Sequence, residues 1–348
     1  MTHSPSADFK RTLLIVGSGF IGAALACTAQ LEWGWSVKVL FRNYCNPALN
    51  KVPNSRLPPD LGELVRLLDR VQPTDVVIAT GSSFVPDINR DIEKALDQHL
   101  NGTLLILDAL TRLRQPLRGR VLVIGSASEY GEFSESPVDE RHPAYPRDHY
   151  GLIKLSLRHL GLHFHRAYCL PVVHVRQFNV TGPGQDSRFV LPSICSQIAN
   201  GARASAVVGG VRVVAGNTAV RRDFLSISDV CRAYRTLMLH GEPGEVYNVC
   251  SGQAYRISDL ISMAAEVAGV RAEVEVSSQL LRESDKIQAV IRGDPSRLRL
   301  LGWALQVPMR DLLAQMIEHF NPVASAVALQ AGNNVNWRNH VPYRGAQE

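Results

Sequence analysis

The chain has 348 residues, 45% of them hydrophobic and 20% charged, with a net charge of +5 at pH 7. That balance belongs to a soluble globular protein with enough apolar material for one large domain or two smaller ones. The mild positive charge suits a small anionic ligand. No run of basic residues marks a nucleic-acid patch, so no nucleic-acid partner is expected.

The start is polar, and the apolar run Leu13 to Val16 is far too short for a signal core or a membrane span. A cytoplasmic protein without a membrane partner is expected. The cysteines Cys27, Cys45, Cys169, Cys195, Cys231 and Cys250 are scattered and none forms a C-x-x-C pair. Neither a metal site nor a disulfide framework is therefore expected.

Thr12 to Val16 reads as a buried parallel strand and runs straight into Gly17, Gly19 and Gly22, after which Ala23 to Cys27 continues as a helix. This is G-x-G-x-x-G in the strand–turn–helix setting the motif requires. Gly17 allows a tight turn, Gly19 lets a pyrophosphate approach the backbone, and Gly22 lets helix and strand pack closely. Ser36 to Phe41 reads as the second strand. Its end carries Arg42 and Asn43 where NAD-binding folds usually place an acidic residue. A guanidinium suits the 2′-phosphate of NADP. The expected cofactor is NADP, with NAD the alternative.

Asp75 to Ala79 reads as a further buried strand, followed by the small-residue loop Thr80, Gly81, Ser82 and Ser83. Leu100 to Leu110 has a helical pattern containing Asn101. Val121 to Gly125 is the next strand, and Ser126 to Gly131 leaves its carboxyl end. Strands alternating with helical stretches predict an α/β fold, a doubly wound parallel sheet of Rossmann type. A smaller C-terminal substrate-binding domain is expected beside it.

Tyr150 and Lys154 lie one turn apart on one helix face. A phenol with a pKa near 10 is a poor proton donor or acceptor at neutral pH. A nearby ammonium is expected to bring it toward the working range. Taken alone, the spacing is that of any helix with an exposed lysine and a half-buried tyrosine. In a doubly wound sheet, however, the glycine loop, the Ser126 loop and the Tyr150 helix all open onto one crevice.

Val172 to Arg176 predicts another strand, after which the chain leaves the sheet. Phe189 to Ala199 reads as an amphipathic helix, and Val211 to Asn217 and Arg221 to Phe224 follow. The charges of a nucleoside diphosphate need cationic partners when partly buried. Arg212, Arg222 and Arg282 are the candidates, with Arg221 the surface member of its pair. Ser258 to Ala268 predicts a helix capped by Ser or Asp at its start. Ile287 to Ile291 predicts a short strand, and Asp311 to Phe320 a final amphipathic helix. The expected division is a dinucleotide-binding domain over 1–178, with later segments returning to it around 225–250. A mainly substrate-binding part follows over 179–320, then a polar tail over 321–348.

These motifs, in this order from about residue 12 to 320, resemble the extended short-chain dehydrogenases/reductases acting on nucleotide sugars, the epimerase/dehydratase family. The resemblance rests on the glycine loop, Asn101 to Thr103, Ser126 to Gly131, Tyr150 with Lys154, and Arg176 to Gln185. Arg222 to Phe224 with Asp229, Glu245 to Val249, and Gly293 to Trp303 extend it. Gln177 to Asn179, Phe189 to Pro192 and Gly244 to Gly252 are similar to the branch that reduces GDP-4-keto-6-deoxymannose.

The resemblance implies that Tyr150 exchanges a proton with a sugar oxygen, Lys154 holds the nicotinamide ribose, and Ser126 hydrogen-bonds the reacting oxygen. It implies cofactor contacts at Gly17, Gly19, Phe20, Ile21, Gly22, Arg42, Asn43, Asp60, Thr80, Gly81, Ser82, Asn101, Tyr150, Lys154 and Gln177. Nucleotide-sugar contacts are implied at Ser128, Asn179, Val190, Arg222, Arg282 and Asp285, with Arg212 a further candidate by its charge. A homodimer through the Asn101 to Leu110 and Tyr150 to His165 helices is implied as well. The 4,6-dehydratases of the family place an acidic residue two positions before the Tyr of the Tyr-Gly pair. Here Ser128 stands there, with Glu129 one residue out of register, which argues against dehydration. The implied activity is NADP-dependent reduction of a nucleotide-linked 4-keto-6-deoxyhexose. A nucleotide-sugar epimerase with retained NAD, or a cofactor-binding protein without turnover, is the alternative.

Overall fold

The computed structural model describes residues 10–132, 137–204, 210–281 and 289–321. In chain order the strands are β1 (Thr12–Val16), β2 (Ser36–Phe41), β3 (Asn54–Arg56), β4 (Asp75–Ile78), β5 (Val121–Ile124), β6 (Val172–Gln177) and β7 (Asn179–Thr181). They continue with β8 (Val211–Ala215), β9 (Arg221–Ser226), β10 (Val246–Val249), β11 (Ala254–Arg256), β12 (Ala272–Val276) and β13 (Val290–Ile291). The helices are α1 (Phe20–Leu31), α2 (Leu61–Val71), α3 (Val85–Arg90), α4 (Ile92–Leu96), α5 (Gly102–Thr111), α6 (His149–Tyr168), α7 (Val190–Ala204), α8 (Ile227–His240) and α9 (Ile257–Ala268). Ser296–Leu300 and Met309–His319 are helical too.

Seven strands pair in the order β10-β6-β5-β4-β1-β2-β3, every pair parallel. The order reverses between β1 and β4, the switch point at which such sheets open a crevice. Successive side chains of a strand face opposite sides, and β1 uses both. Leu13 and Ile15 pack with α1 and α8, while Leu14 and Val16 pack with α2, α5 and α6. A sheet buried on both faces explains why β1, β4 and β5 read as unbroken apolar runs.

After β6 the chain leaves this sheet. β7, β11 and β13 pair with β9, and β8 pairs with β12. Behind them α7, α9 and Met309–His319 enclose a separate cluster that includes Leu191, Ile198, Val213, Leu260 and Leu313. Two buried carboxylates tie this part together. Asp229 accepts from Gln306 N at 2.9 Å and Val307 N at 3.2 Å. Asp223 accepts from the backbone of Ser251, Gly252 and Gly293, and burial pushes its carboxyl up to about 6.

Some expected elements differ in detail. The helical pattern over Leu100 to Leu110 begins in a widened, π-type turn at Asp97–Asn101 before α5 proper. α9 starts one residue early, after Arg256, with no side-chain cap; Ser258 and Asp259 already lie inside it. The short strand is described at Val290–Ile291; residues 287 and 288, like the tail beyond Asn321, lie outside the described residues. Among the described residues no helix is long and apolar enough to cross a membrane.

Candidate active site

Each motif glycine meets a different constraint. Gly17 has φ of +119°, and a Cβ there would lie 2.2 Å from Ala79 O. The loop after β1 is therefore pressed against the loop after β4. A Cβ on Gly22 would lie 2.0 Å from Gly17 O, so helix and loop touch as well. A Cβ added at Gly19 would meet nothing within 4 Å. That residue is the N-cap of α1 and supplies no side-chain cap. The first-turn amides and the positive end of the helix thus face an open cleft, the setting that receives a pyrophosphate. A dinucleotide fits this cradle.

The cleft has a volume of about 450 Å³. It is lined by Gly19, Phe20, Ile21, Gly22, Thr80, Gly81 and Ser82 from the β1 and β4 loops. Ser126, Ser128, Tyr150, Lys154, Gln177, Asn179, Val190 and Arg222 line it further along. Arg42, Asn43, Asp60 and Asn101 lie outside that lining. Arg42 is ion-paired with Asp97 at 2.9 Å, and Asn101 Nδ2 donates to the same carboxylate at 3.2 Å. The Arg42 hydrogen bond, foremost, holds the Asp97 carboxyl below its usual range. Asp60 caps α2, accepting from Glu63 N at 2.8 Å. Arg212 points away on β8 and pairs with Glu275 of β12. Arg282 and Asp285 lie outside the described residues.

Ser126, Tyr150 and Lys154 meet beyond the carboxyl end of β5. Ser126 Oγ accepts from Ser128 N at 3.1 Å, which leaves its own proton to give. It hydrogen-bonds the Tyr150 phenol and thereby lowers that group's pKa. Lys154, 5% exposed, donates to Ile124 O at 2.9 Å, with its ammonium 5.6 Å from the Tyr150 ring centre. The expected lowering of the phenol is reversed here. Burial outweighs the Ser126 bond and pushes Tyr150 up to about 12. Burial also brings Lys154 down to about 8, opposed by the charge of Glu129. At neutral pH the phenol holds its proton and the lysine is cationic.

Several neighbours are not evident from motif reading. Glu129 is fully buried, accepting from Ser126 N at 2.9 Å and from Arg176 Nε at 3.1 Å, with His174 Nε2 at 2.9 Å. His99, also fully buried, sits edge-on to Tyr150 with centroids 6.4 Å apart and bonds Ser82 O at 3.0 Å. Burial and the nearby Lys154 charge push it down to about 3, so it is neutral. On the far wall Arg188 stacks 4.4 Å over Phe84 and pairs with Asp87 at 3.0 Å, joining the β4 side of the cleft to the segment before α7. Gly81 carries a trace of this in sequence: a Cβ there would strike His99 at 2.2 Å.

The family model described as GDP-mannose 4,6 dehydratase matches residues 14–316. GDP-6-deoxy-D-mannose reductase of Pseudomonas aeruginosa is 33% identical over 311 residues, covering 88% of this chain and 95% of that protein. GDP-mannose 4,6-dehydratase of Vibrio cholerae is 24% identical over 80% of this chain and 81% of its own length. Among solved structures, RMD from Pseudomonas aeruginosa complexed with NADPH superposes with a TM-score of 0.73 at 31% identity, covering 90% of this chain and all of that one (100%). The Thermus thermophilus UDP-glucose 4-epimerase complex with NAD superposes at 0.76 over 89% and 98% of the two chains, at 23% identity. The glycine cradle, the Ser126–Tyr150–Lys154 cluster and the reach of the match over most of the chain agree: this protein belongs to the GDP-mannose 4,6-dehydratase family of nucleotide-sugar short-chain dehydrogenases/reductases.

Proposed function

We propose that this chain is an NADP-dependent reductase of the 4-keto group of a nucleotide-linked 4-keto-6-deoxyhexose, a GDP-4-keto-6-deoxymannose-like substrate. One observation carries the reading. Ser126, Tyr150 and Lys154 converge in the cleft that the glycine cradle opens, and positions 127 and 128 hold Ala and Ser rather than a carboxylate. Dehydration across C5–C6 needs a further acid and base, and the one nearby carboxylate on this loop, Glu129, is buried and bonded away from the cleft. The 33% identical relative is named as a reductase, and NADPH is the partner of the solved RMD.

In this reading NADPH supplies the hydride to C4 when bound. Tyr150, protonated at neutral pH, gives its proton to O4 as negative charge develops there. Ser126 donates to the same oxygen, and Lys154 holds the ribose and offsets the phenolate left behind. Gly17, Gly19, Phe20, Ile21 and Gly22 hold the pyrophosphate, and Thr80, Gly81, Ser82 and Gln177 border the rest of the dinucleotide. Arg42, with Asn43 and Asn101 beside it, reads the 2′-phosphate end. Ser128 faces the sugar, and Asn179, Val190 and Arg222 meet the sugar diphosphate. Arg282 and Asp285 complete that set by resemblance. Arg212, committed to Glu275, is left out, as is Asp60, committed to α2.

The dinucleotide-binding part is then 1–178 with the returning segment around 225–250, and 179–320 mainly holds the sugar nucleotide. A homodimer through α5 and α6 gives the exposed Leu104 and Leu152 a partner surface. A cytoplasmic enzyme is the matching location. The test is a screen of NADPH oxidation with 4-keto-6-deoxyhexoses carried on GDP, dTDP and UDP. Stoichiometric oxidation with the GDP sugar is expected. Tightly retained NAD, with no net redox change and inversion of an ordinary nucleotide sugar, would establish the epimerase alternative.

A further inference from the structure

We infer that Glu129, held by His174 and Arg176, is a positioning residue for the reacting trio: it fixes the Ser126 backbone and places a carboxylate behind Tyr150 and Lys154. The kinetic part of this inference rests on the reductase reading; the electrostatic part does not.

The geometry is specific. Glu129 Oε1 accepts from Ser126 N at 2.9 Å while the Ser126 side chain accepts from Ser128 N, so the two residues cap one short turn reciprocally. That turn aims the Ser126 hydroxyl at Tyr150. His174 and Arg176 reach Glu129 from the same face of β6, two residues apart, and both are 1% exposed. Gly125 makes room for them; a Cβ there would lie 2.0 Å from Glu129 Oε1 and 2.4 Å from His174 Nε2.

Stability alone is a poor reason for this cluster. Apolar side chains of equal volume generally serve a core as well as a buried acid–base group does. His174 Nδ1 has no hydrogen-bond partner among the described residues, a further cost. What the cluster does supply is a carboxylate held in one place behind the trio. The groups facing Lys154 and Tyr150 are His99 from the widened turn, Asp148 at the start of α6, Tyr234 from α8, and Glu129. Arg158 and Arg176 also act on Glu129, and Arg176 is ion-paired with it at 3.1 Å. His99 is neutral, so it adds no positive charge beside Lys154. Glu129 raises both the phenol and the ammonium pKa, which keeps the pair in its proton-donating form.

The test compares wild type with Glu129→Gln, which keeps the shape and loses the charge. Proteins carrying 13Cε-lysine are titrated by NMR, with the Lys154 signal assigned through Lys154→Met. The Lys154 midpoint is expected ~1 pH unit lower in Glu129→Gln, with Glu129→Asp returning toward wild type. With keto-sugar and NADPH, kcat is expected to fall at least ~10-fold while KM changes less than ~3-fold. Adding Glu129→Gln to Ser126→Ala should then cost little more. An unchanged Lys154 midpoint together with an unchanged kcat overturns the inference, whatever happens to Tm. If wild type reduces no keto-sugar, the reductase reading fails and the titration still decides the role of Glu129. If Glu129→Gln does not fold, Glu129→Met takes its place; if neither folds, Glu129 is a structural residue and the inference is wrong.

Discussion

Lys154 gives its hydrogen bond to Ile124 O at 2.9 Å rather than to the phenol, and its ammonium lies 5.6 Å from the Tyr150 ring centre. The two groups therefore meet across the Tyr150 ring rather than by a direct hydrogen bond, and the phenol is an acid at rest. Tyr150→Phe is expected to lower kcat at least ~100-fold. NADPH affinity, measured by fluorescence titration, should stay within ~3-fold, since the hydroxyl is what reacts.

The same geometry sets a pH dependence. The proposed reduction needs Lys154 charged, so kcat/KM should fall above about pH 8, where that buried group loses its proton. The sign for stability is opposite. The folded pKa lies below that of an ordinary lysine, so between about 8 and 10.5 the unfolded chain binds more protons. The Lys154 contribution to stability thus rises across the window in which activity is lost. Measuring both on one set of buffers separates inactivation by deprotonation from unfolding.

The glycines offer a contrast between packing and binding. Gly17→Ala and Gly22→Ala drive a Cβ to 2.2 and 2.0 Å from backbone oxygens, and each should cost roughly 2–4 kcal/mol of stability. Gly19→Ala meets nothing within 4 Å. It should leave Tm nearly unchanged and weaken NADPH binding ~10-fold or more, because its methyl fills the space a pyrophosphate needs. Denaturant melts beside cofactor titrations check the pair.

Arg42 follows β2 and is braced by Asp97. Arg42→Ala should raise the KM for NADPH ~10-fold or more and leave that for NADH nearly unchanged. Asp97→Asn keeps the polar contact but loses the ionic brace, so a smaller shift in the same direction is expected. Equal effects on both cofactors would place the 2′-phosphate elsewhere.

His99 carries an acid-sensitive share of the stability. Its folded pKa of about 3 lies below the ordinary histidine value of 6.5, so the unfolded chain binds more protons between them and stability falls as pH drops through that range. Between pH 6.5 and 5 this amounts to roughly 1–2 kcal/mol. Asp223, with its carboxyl raised to about 6 from 3.8, acts with the opposite sign and partly masks the loss. His99→Asn should therefore flatten the acid side of a Tm-versus-pH curve measured with fixed salt.

Much of this architecture is legible along the chain because its signals are local. A strand, a glycine turn and a helix are contiguous from Thr12 to Leu31, and Tyr150 and Lys154 share one helix face. Pairings between distant segments are not legible that way. Arg42 and Asp97 are 55 residues apart, and Arg212 and Glu275 are joined only by the β8–β12 register. The first pairing braces an expected cofactor ligand; the second withdraws an expected substrate ligand. Glu129 reads as a misplaced dehydratase acid until β6 brings His174 and Arg176 to it. Asn101 reads as a polar member of a helix, and only the widened turn at Asp97–Asn101 shows that it shares the Asp97 carboxylate with Arg42.

The proposed chemistry is hydride delivery to a sugar C4 with the proton coming from Tyr150. Purified protein would be given GDP-4-keto-6-deoxymannose and NADPH deuterated at the transferring C4 position, and the product read by NMR. One cofactor is expected to be oxidised per sugar reduced, with deuterium at sugar C4 and loss of nearly all turnover in Tyr150→Phe. Oxidation without label at C4, or wild-type rates in Tyr150→Phe, would contradict it.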